Sequence, residues 1–364
     1  MRSSRRSGRL AACSSSFPRS RTWRRRERAA GRRGEKKLVV LSWAGGWGRA
    51  LREAVSDPFE RATGVRVVHE THVGLKLPAA LTSALAAGER PPVDVVWCNS
   101  VPALLAAERG DCLPLRKADM PVLSELARRA WPDGAPVDAT ATPVVHPYVV
   151  YYVLAYHDEV VSQPLTSWRD LLDPRFRGKL ALYPGGNGFY PIAQMLGGGR
   201  VEDIPSDMTA CWSFFEELRS QVSELDYSIG MEERLRRKDL HLCFRALTNA
   251  LAFRAAGVPI SWCIPKEGTT DTVDALWIPK GTPQAELARE YVAFALRPDV
   301  QEAWCELLGA MPVHPRAAVP SALRDRADLP SNADDVRGIL HVPESLKVKH
   351  EHEWEARFGA VFVR

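Results

Sequence analysis

Four stretches of this 364-residue sequence place glycine, amide, hydroxyl and aromatic residues directly after an apolar run. They are Trp43-Ala44-Gly45-Gly46-Trp47-Gly48, Cys98-Asn99-Ser100, Pro184-Gly185-Gly186-Asn187-Gly188-Phe189-Tyr190, and Arg245 to Asn249. In α/β folds a small molecule binds outside the carboxyl ends of strands, where the following helix presents unpaired N–H groups. Glycine lets backbone approach a ligand, and aromatic rings supply walls. The candidate contacts for such a molecule are Trp43, Gly45, Gly46, Asn99, Ser100, Tyr151, Gly186, Asn187, Gly188, Tyr190, Arg245, Asn249 and Asp274.

Other residue types could do different chemistry. Cys98 with His146 has the makings of a nucleophile and its base, and Asp94 and Asp274 could act as acids. No Gly-x-Ser-x-Gly elbow, phosphate loop or HExxH motif accompanies them, so no enzyme is expected. Tyr151-Tyr152, with His69 and His72, could ligate a metal ion. Adjacent residues of a strand point to opposite faces, however, so one tyrosine is expected at a cleft and the other in a core. The seven cysteines form neither a CxxC pair nor zinc-ligand spacing, and most lie in apolar contexts where they pack as small hydrophobes. A disulfide between Cys98 and Cys112 is one open alternative. No metal and no cofactor are expected.

The elements that position these residues alternate strand and helix. Leu38 to Ser42 reads as a strand, Leu51, Val55 and Phe59 as one face of a helix stopped at Gly64, and Val65 to Val73 as a second strand. A helix bearing Leu77, Leu81 and Leu85 ends at Gly88. Val93 to Trp97 reads as a buried strand, with Asn99 or Ser100 capping the next helix. Leu123 and Leu126 predict a helix after Pro121. Pro143 to Tyr156 is β-prone and too long for one strand of a compact sheet, which suits a crossing between two lobes. Ser167 predicts a cap, Lys179 to Tyr183 a strand, and Cys211, Phe215, Leu218 and Val222 a helix face. His241 to Phe244 and Ile260 to Ile264 are strands around a helix that stops at Gly257. Thr272 to Ile278 is the expected return crossing. Later helices carry Leu287 and Trp304 with a break near Pro298, and Glu351 to Phe362 is a final helix. Two crossings between α/β lobes leave a cleft that hinge closure can use.

Composition narrows the function classes. With 45% hydrophobic and 26% charged residues, the chain can bury a core and form about two domains. Residues 1–37 hold fourteen Arg and Lys against Glu27 and Glu35, so the whole-chain charge of +5 conceals a tail of +12 and a body of −7. The tail has no interleaved aromatics apart from Phe17 and Trp23, such charge runs are usually solvated, and no nucleic acid is expected as a partner. No run approaches the ~20 apolar residues of a membrane span. Arg5-Arg6 has the look of a twin-arginine start and Leu10-Ala11-Ala12-Cys13 that of a lipoprotein box. No apolar stretch joins them, which fits either an unusual export signal or, the preferred reading, a misassigned start or frame upstream of Glu35.

Several segments together carry a resemblance. SWRDLLDPRFRGKLALYPGGNGFY from Ser167 to Tyr190 and IPKEGTT from Ile264 to Thr270 are joined by VVLSWAGGWG at Val39 to Gly48 and FERATGVRV at Phe59 to Val67. VDVVWCNSVPALLAAERG at Val93 to Gly110 and AFALRPDVQEAW at Ala293 to Trp304 complete the series. In this order they resemble the bacterial ABC-transporter solute-binding proteins, in the spermidine/putrescine-like branch of extracellular solute-binding family 1. The resemblance implies a two-lobed periplasmic-binding-protein type II fold of α/β class. Lobe 1 would comprise 38–147 and 275–364, lobe 2 would comprise 148–274, and 1–37 would be a disordered basic tail. It also implies a monomer in the periplasm or otherwise outside the cytoplasm, possibly held by a lipid anchor, that delivers a small polar solute to ABC permease subunits. Trp43 falls at the family's aromatic contact. The chain departs from polyamine binders: Gly185 and Gly188 stand where an acidic pair is expected, Thr272 and Ala246 where tryptophans are, and only Asp274 remains of the acidic set. Glycine N–H groups and Arg245 suit an oxyanion, a carboxylated compound or a hydroxylated metabolite better than a dication. Polyamine binding, ferric-iron binding and an enzyme on the same fold are the alternatives.

Overall fold

A computed structural model of the chain describes residues 36–72, 76–226 and 230–362. The tail features at Arg5, Arg6 and Leu10 to Cys13, and the expected strand end at Val73, lie outside the described residues.

The first half begins with strand β1 (Lys37–Trp43) and a helical stretch, α1, that runs Gly45–Leu51 and Asp57–Thr63 around a π turn at Arg52–Ser56. Leu51, Val55 and Phe59 follow one another at helical spacing and are buried. Gly64 ends the helix at φ 73°, a conformation that costs a residue with a Cβ. Strands β2 (Arg66–His72) and β3 (Val95–Asn99) pair parallel to β1 on either side. Helix α2 (Ala79–Ala87) lies between them in sequence, and α3 (Ser100–Glu108) follows β3.

The second half is built on β4 (Tyr148–His157), all ten residues of which are buried. β5 (Leu180–Leu182) is followed by α4 (Tyr190–Leu196) and α5 (Thr209–Leu218). β6 (Val222–Leu225), β7 (Leu242–Ala246), α6 (Leu247–Ala255) and β8 (Ile260–Cys263) complete this half. β9 (Asp271–Trp277) returns to the first half, and α7 (Ala285–Ala295), α8 (Pro298–Leu308), β10 (Met311–Pro312) and α9 (Glu344–Phe362) follow. The strands form one path, β2-β1-β3-β9-β4-β7-β5-β6, with β8 and β10 also paired to β4.

Three local expectations are corrected. Leu123 and Leu126 do not make an α-helix: a 3-10 turn covers Pro121–Ser124, and Ala127 then donates to the Val313 carbonyl, drawing the chain out of the helical path. Val222 belongs to β6, because Gly178 and Lys179 bond the carbonyls of Ser220 and Gln221 and end the preceding helix. The final helix begins at Glu344, seven residues before Glu351. Ser167 does cap, in a reciprocal box with Asp170.

The two long strands join the halves by changing partners along their length. Asp271 to Val273 of β9 pair with Tyr151 to Val149 of β4, whereas Asp274 to Trp277 pair with Asn99 to Val96 of β3. Asp274 stands at this change and is the acceptor in a buried knot. Tyr148 Oη donates to it at 2.7 Å, Asn99 Nδ2 donates at 3.0 Å, and its carbonyl lies 2.9 Å from His146 Nδ1. Burial pushes the Asp274 carboxyl up to about 7, with Glu344 adding to the rise and the Tyr148 and Asn99 bonds opposing it. Buried Gly188, φ +78°, sits against the β4 ring of Tyr152, where a Cβ would lie 2.6 Å from Tyr152 Cε2.

Two outcomes follow for stability. The unfolded Asp274 loses its proton near pH 4 and the folded one near pH 7, so between these values the folded state binds more protons and stability falls as pH rises. Asp274→Asn cannot ionise; its stability relative to wild type should therefore climb from pH 4 to 7, on the order of 4 kcal/mol, and level off above. Urea unfolding across pH 4.5–8 checks this, and a pH-independent difference would refute it. Gly188→Ala should cost about 1–3 kcal/mol from overpacking against Tyr152, with about 1–2 more from the positive φ, read from the same urea midpoints.

Candidate functional site

A cavity opens where the carboxyl end of β3 faces the turn after β5, with β9 between them and α9 across the remaining side. From the first half come Asn99, Ser100, Val101 and Pro102, at the β3–α3 turn. Asn99 occupies the cap position of α3, yet its side chain makes no capping bond and is committed to Asp274 instead. Ser100 does not cap either; its hydroxyl donates to Glu344 Oε2 at 2.5 Å.

The second half contributes Pro184, Gly185, Asn187, Gly188, Tyr190 and Pro191. Positive φ values at Gly185 and Gly188 let the chain fold back on itself, and the Tyr190 hydroxyl donates to the Gly185 carbonyl. Thr270 Oγ1 donates to the Gly188 carbonyl at 2.7 Å, which ties the turn to the start of β9. Gly186 is corrected as a cavity contact. A Cβ there would meet Phe358 at 2.8 Å, so its glycine admits α9 rather than a ligand.

Thr270, Asp271 and Thr272 lie on the β9 side, and α9 supplies Glu344, Lys347, Glu351, Trp354 and Glu355. Most of these charges are already paired. Asp271 Oδ2 meets Arg129 Nη2 at 2.5 Å and Asp271 Oδ1 meets His341 Nδ1 at 3.1 Å. Asp133 accepts from the Glu344 backbone at 2.8 Å and lies 3.7 Å from His341 Nε2. Lys347 Nζ is 2.5 Å from Glu344 Oε1. Burial disfavours charge on His341, but its bonds to Asp133 and Asp271 outweigh that and hold its pKa at about 9. Burial also works against the Asp271 carboxylate, and His341 and Arg129 keep it below the usual range regardless. Glu351 differs: burial and the nearby Glu355 carboxylate raise its pKa, with only Lys76 opposing. Two aromatic rings, Tyr190 and Trp354, stand beside this acidic pair with centroids 5.0 Å apart.

Other candidates lie elsewhere. Arg245 is corrected: it is fully buried, its guanidinium donating to the carbonyls of Phe244 and Asp226 and lying 4.4 Å from the Tyr183 ring centroid. The buried Tyr151 does not line the cavity, and Tyr152 stacks on Phe244 at 4.6 Å. Asn249 accepts from the Tyr183 hydroxyl. Trp43 packs 5.4 Å from Trp47 and 6.2 Å from His72, outside the cavity lining, as are exposed Gly45 and Gly46. Asp274 reaches the cavity only through Asn99.

The chemistry weighed against solute binding finds little support in the geometry. Burial pushes the Cys98 thiol up to about 12, far from a reactive thiolate, and Trp277 Nε1 lies 3.4 Å from its sulfur. Cys98 and Cys112 are both free thiols. Among the described residues no group of three or more His, Cys, Asp or Glu side chains could hold a metal ion. His69 bonds Ser56 at 2.8 Å and is held near pKa 4 mainly by burial.

The acidic residues of α9 are what a motif reading missed. Their signal is present in the sequence, since Glu344, Lys347, Glu351, Trp354, Glu355 and Phe358 recur at intervals of three and four and so share one helix face.

Comparison with known proteins agrees with this architecture. The family model for bacterial extracellular solute-binding proteins matches residues 54–330. The gamma-aminobutyric acid-binding protein of Pseudomonas aeruginosa is 26% identical over 347 residues, covering 92% of this chain and 94% of its own. The spermidine/putrescine-binding periplasmic protein of Escherichia coli K12 is 30% identical over 153 residues, covering 42% of this chain and 44% of its own. An ABC transporter substrate-binding protein from Bradyrhizobium japonicum superposes with a TM-score of 0.75 at 19% identity, covering 90% of this chain and 99% of its own. The fold is thus the two-lobed one of periplasmic binding proteins, and the chain belongs to the bacterial extracellular solute-binding protein family.

Proposed function

We propose that this solute-binding protein captures a small molecule bearing an amino group, with a carboxylate at its other end, and presents it to the permease of an ABC importer outside the cytoplasm. The observation that carries the solute class is the Glu351–Glu355 pair beside Tyr190 and Trp354. Among the described residues these carboxylates line the cavity without an ion pair of the kind that ties Asp271 and Glu344, with Lys76 alone acting on Glu351. An ammonium gains from carboxylates and from aromatic faces, and it gains more in a cleft that excludes water. Asn187 lines the same cavity, and Lys347 and Ser100 can donate to a solute's acceptor group once released from Glu344. Binding of gamma-aminobutyrate by the Pseudomonas aeruginosa relative supports an amino acid of this kind. A purely anionic solute, which the glycine turn suggested, fits less well because the turn's glycines serve packing and the lining is acidic. Cys98 lies outside the cavity lining with its thiol pushed up by burial, which supports a binding role.

The hinge would lie in β4 near Tyr151 and Tyr152 and in β9 near Asp274, where the strands change partners. Calorimetry with 4-aminobutyrate, putrescine and succinate tests the solute class. 4-Aminobutyrate should bind best, and replacing both Glu351 and Glu355 with Gln should weaken it at least about tenfold, or 1.4 kcal/mol. Succinate binding tightest would refute the reading, and putrescine binding tightest would replace it with the polyamine one.

A further inference from the structure

α9 touches both lobes, and its two ends are held by different forces. At the lobe-2 end, buried Trp354, Phe358 and Val361 pack on the turn after β5 and on α5. Phe358 lies 5.1 Å from the Phe215 ring, and the Arg357 guanidinium lies 4.7 Å over Trp212. At the lobe-1 end the hold is polar. Glu344 is only 2% exposed, and its carboxylate accepts from the Ser100 hydroxyl at the start of α3 and from Lys347. Asp133 fixes its backbone N–H.

The position of that carboxylate is informative. Ser100 lines the cavity at the carboxyl end of β3, the place where a solute's acceptor group would meet lobe 1. The chain has put its own carboxylate there. A buried carboxylate needs hydrogen-bond donors, and Ser100 with Lys347 supply them.

We propose that α9 is a latch across the cleft and that Glu344 is its built-in ligand, holding Ser100 in cis until a solute carboxylate takes its place. This identifies Ser100 as a specificity-determining residue for carboxylate-bearing solutes, and it rests on the solute-binding reading above. Because the aromatic end stays seated on lobe 2, exchange at Ser100 frees lobe 1 alone. The helix therefore remains as a wall of the cleft while the lobes move.

Hydrogen exchange and small-angle scattering on the full chain without added solute test the latch, so that its fate does not depend on which solute binds. In Glu344→Gln, and in the milder Ser100→Ala, amides of 345–351 should exchange at least tenfold faster than in wild type. Peptides covering 96–102 and 183–190 should also lose protection, and the radius of gyration should rise, while 354–362 keep their rates. Unchanged rates in both variants overturn the proposal, as does faster exchange confined to α9 with an unchanged radius, since that describes a frayed helix end. Calorimetry with 4-aminobutyrate adds the competitive arm. Glu344→Gln should bind it more tightly than wild type, and weaker binding than wild type refutes competition. Absence of binding in both proteins counts against the proposed solute class and leaves the exchange result to decide the latch.

Discussion

The cleft depends on β9 changing partners at Asp274. A strand that paired with β4 alone would weld the return crossing into the second lobe, and one that paired with β3 alone would leave β4 as the single link between halves. By spending three residues on β4 and four on β3, β9 belongs to both sheets. The change leaves a carboxyl group buried between them, and that group is kept there by Tyr148 and Asn99. One of these partners is a crossing-strand residue and the other lines the cavity, so the knot links the hinge to the cleft wall directly. A carboxyl in that position is costly when charged, which is why its proton is held to about pH 7.

Next to this knot lies a second, partly buried cluster with the opposite electrostatic character. Arg129, His341 and Lys347 face Asp133, Asp271 and Glu344, three cations against three carboxylates. Pairing of this kind contributes little net stability over an apolar core, but removing one member leaves a buried charge without its partner. Its consequence here is geometric. Arg129 and Asp133 precede β4, Asp271 opens the return strand β9 and the remaining three belong to the C-terminal segment, so the cluster fixes how that segment crosses the cavity. The aromatic end of α9 needs no such matching. Deleting one buried aromatic there costs about 3–5 kcal/mol, against about 1.5–3 kcal/mol for a hydrogen bond to a charged group. The polar end is therefore the one that can let go.

Much of this was legible in the sequence because the strong signals are local. The run from Tyr148 to His157 has no polar face and could only be a strand buried on both sides, Ser167 with Asp170 spells a capping box, and Gly64, Gly88 and Gly257 mark helix ends. What misled were residues whose partners lie far away in sequence. Arg245 and the glycines of the lobe-2 turn have the composition of an anion cradle, but Met231, Asp226 and Phe358 claim them, and none of these is near in sequence. Asn99 and Ser100 have capping side chains that are taken by Asp274 and Glu344, 175 and 244 residues away. The helix expected at Leu123 failed for the same reason, a backbone bond from Ala127 to Val313.

The division of labour between the lobes and α9 explains why comparison with polyamine binders turned on missing carboxylates. The turn that such binders would make acidic is neutral here, at Gly185 and Gly188, and both positions are fixed by packing or positive φ rather than by a ligand. The charge has moved to a helix outside the segments that carry the resemblance. A helix face presents a charged group at every turn, about 5.4 Å apart, with little demand on the rest of the chain. Charges on the lobe turns, in contrast, would have to be accommodated against Tyr152, Phe358 and Tyr190, which already fill the space. On the proposed reading, solute preference would change by substitution along one face of α9 while the turns and the knot at Asp274 remain as they are.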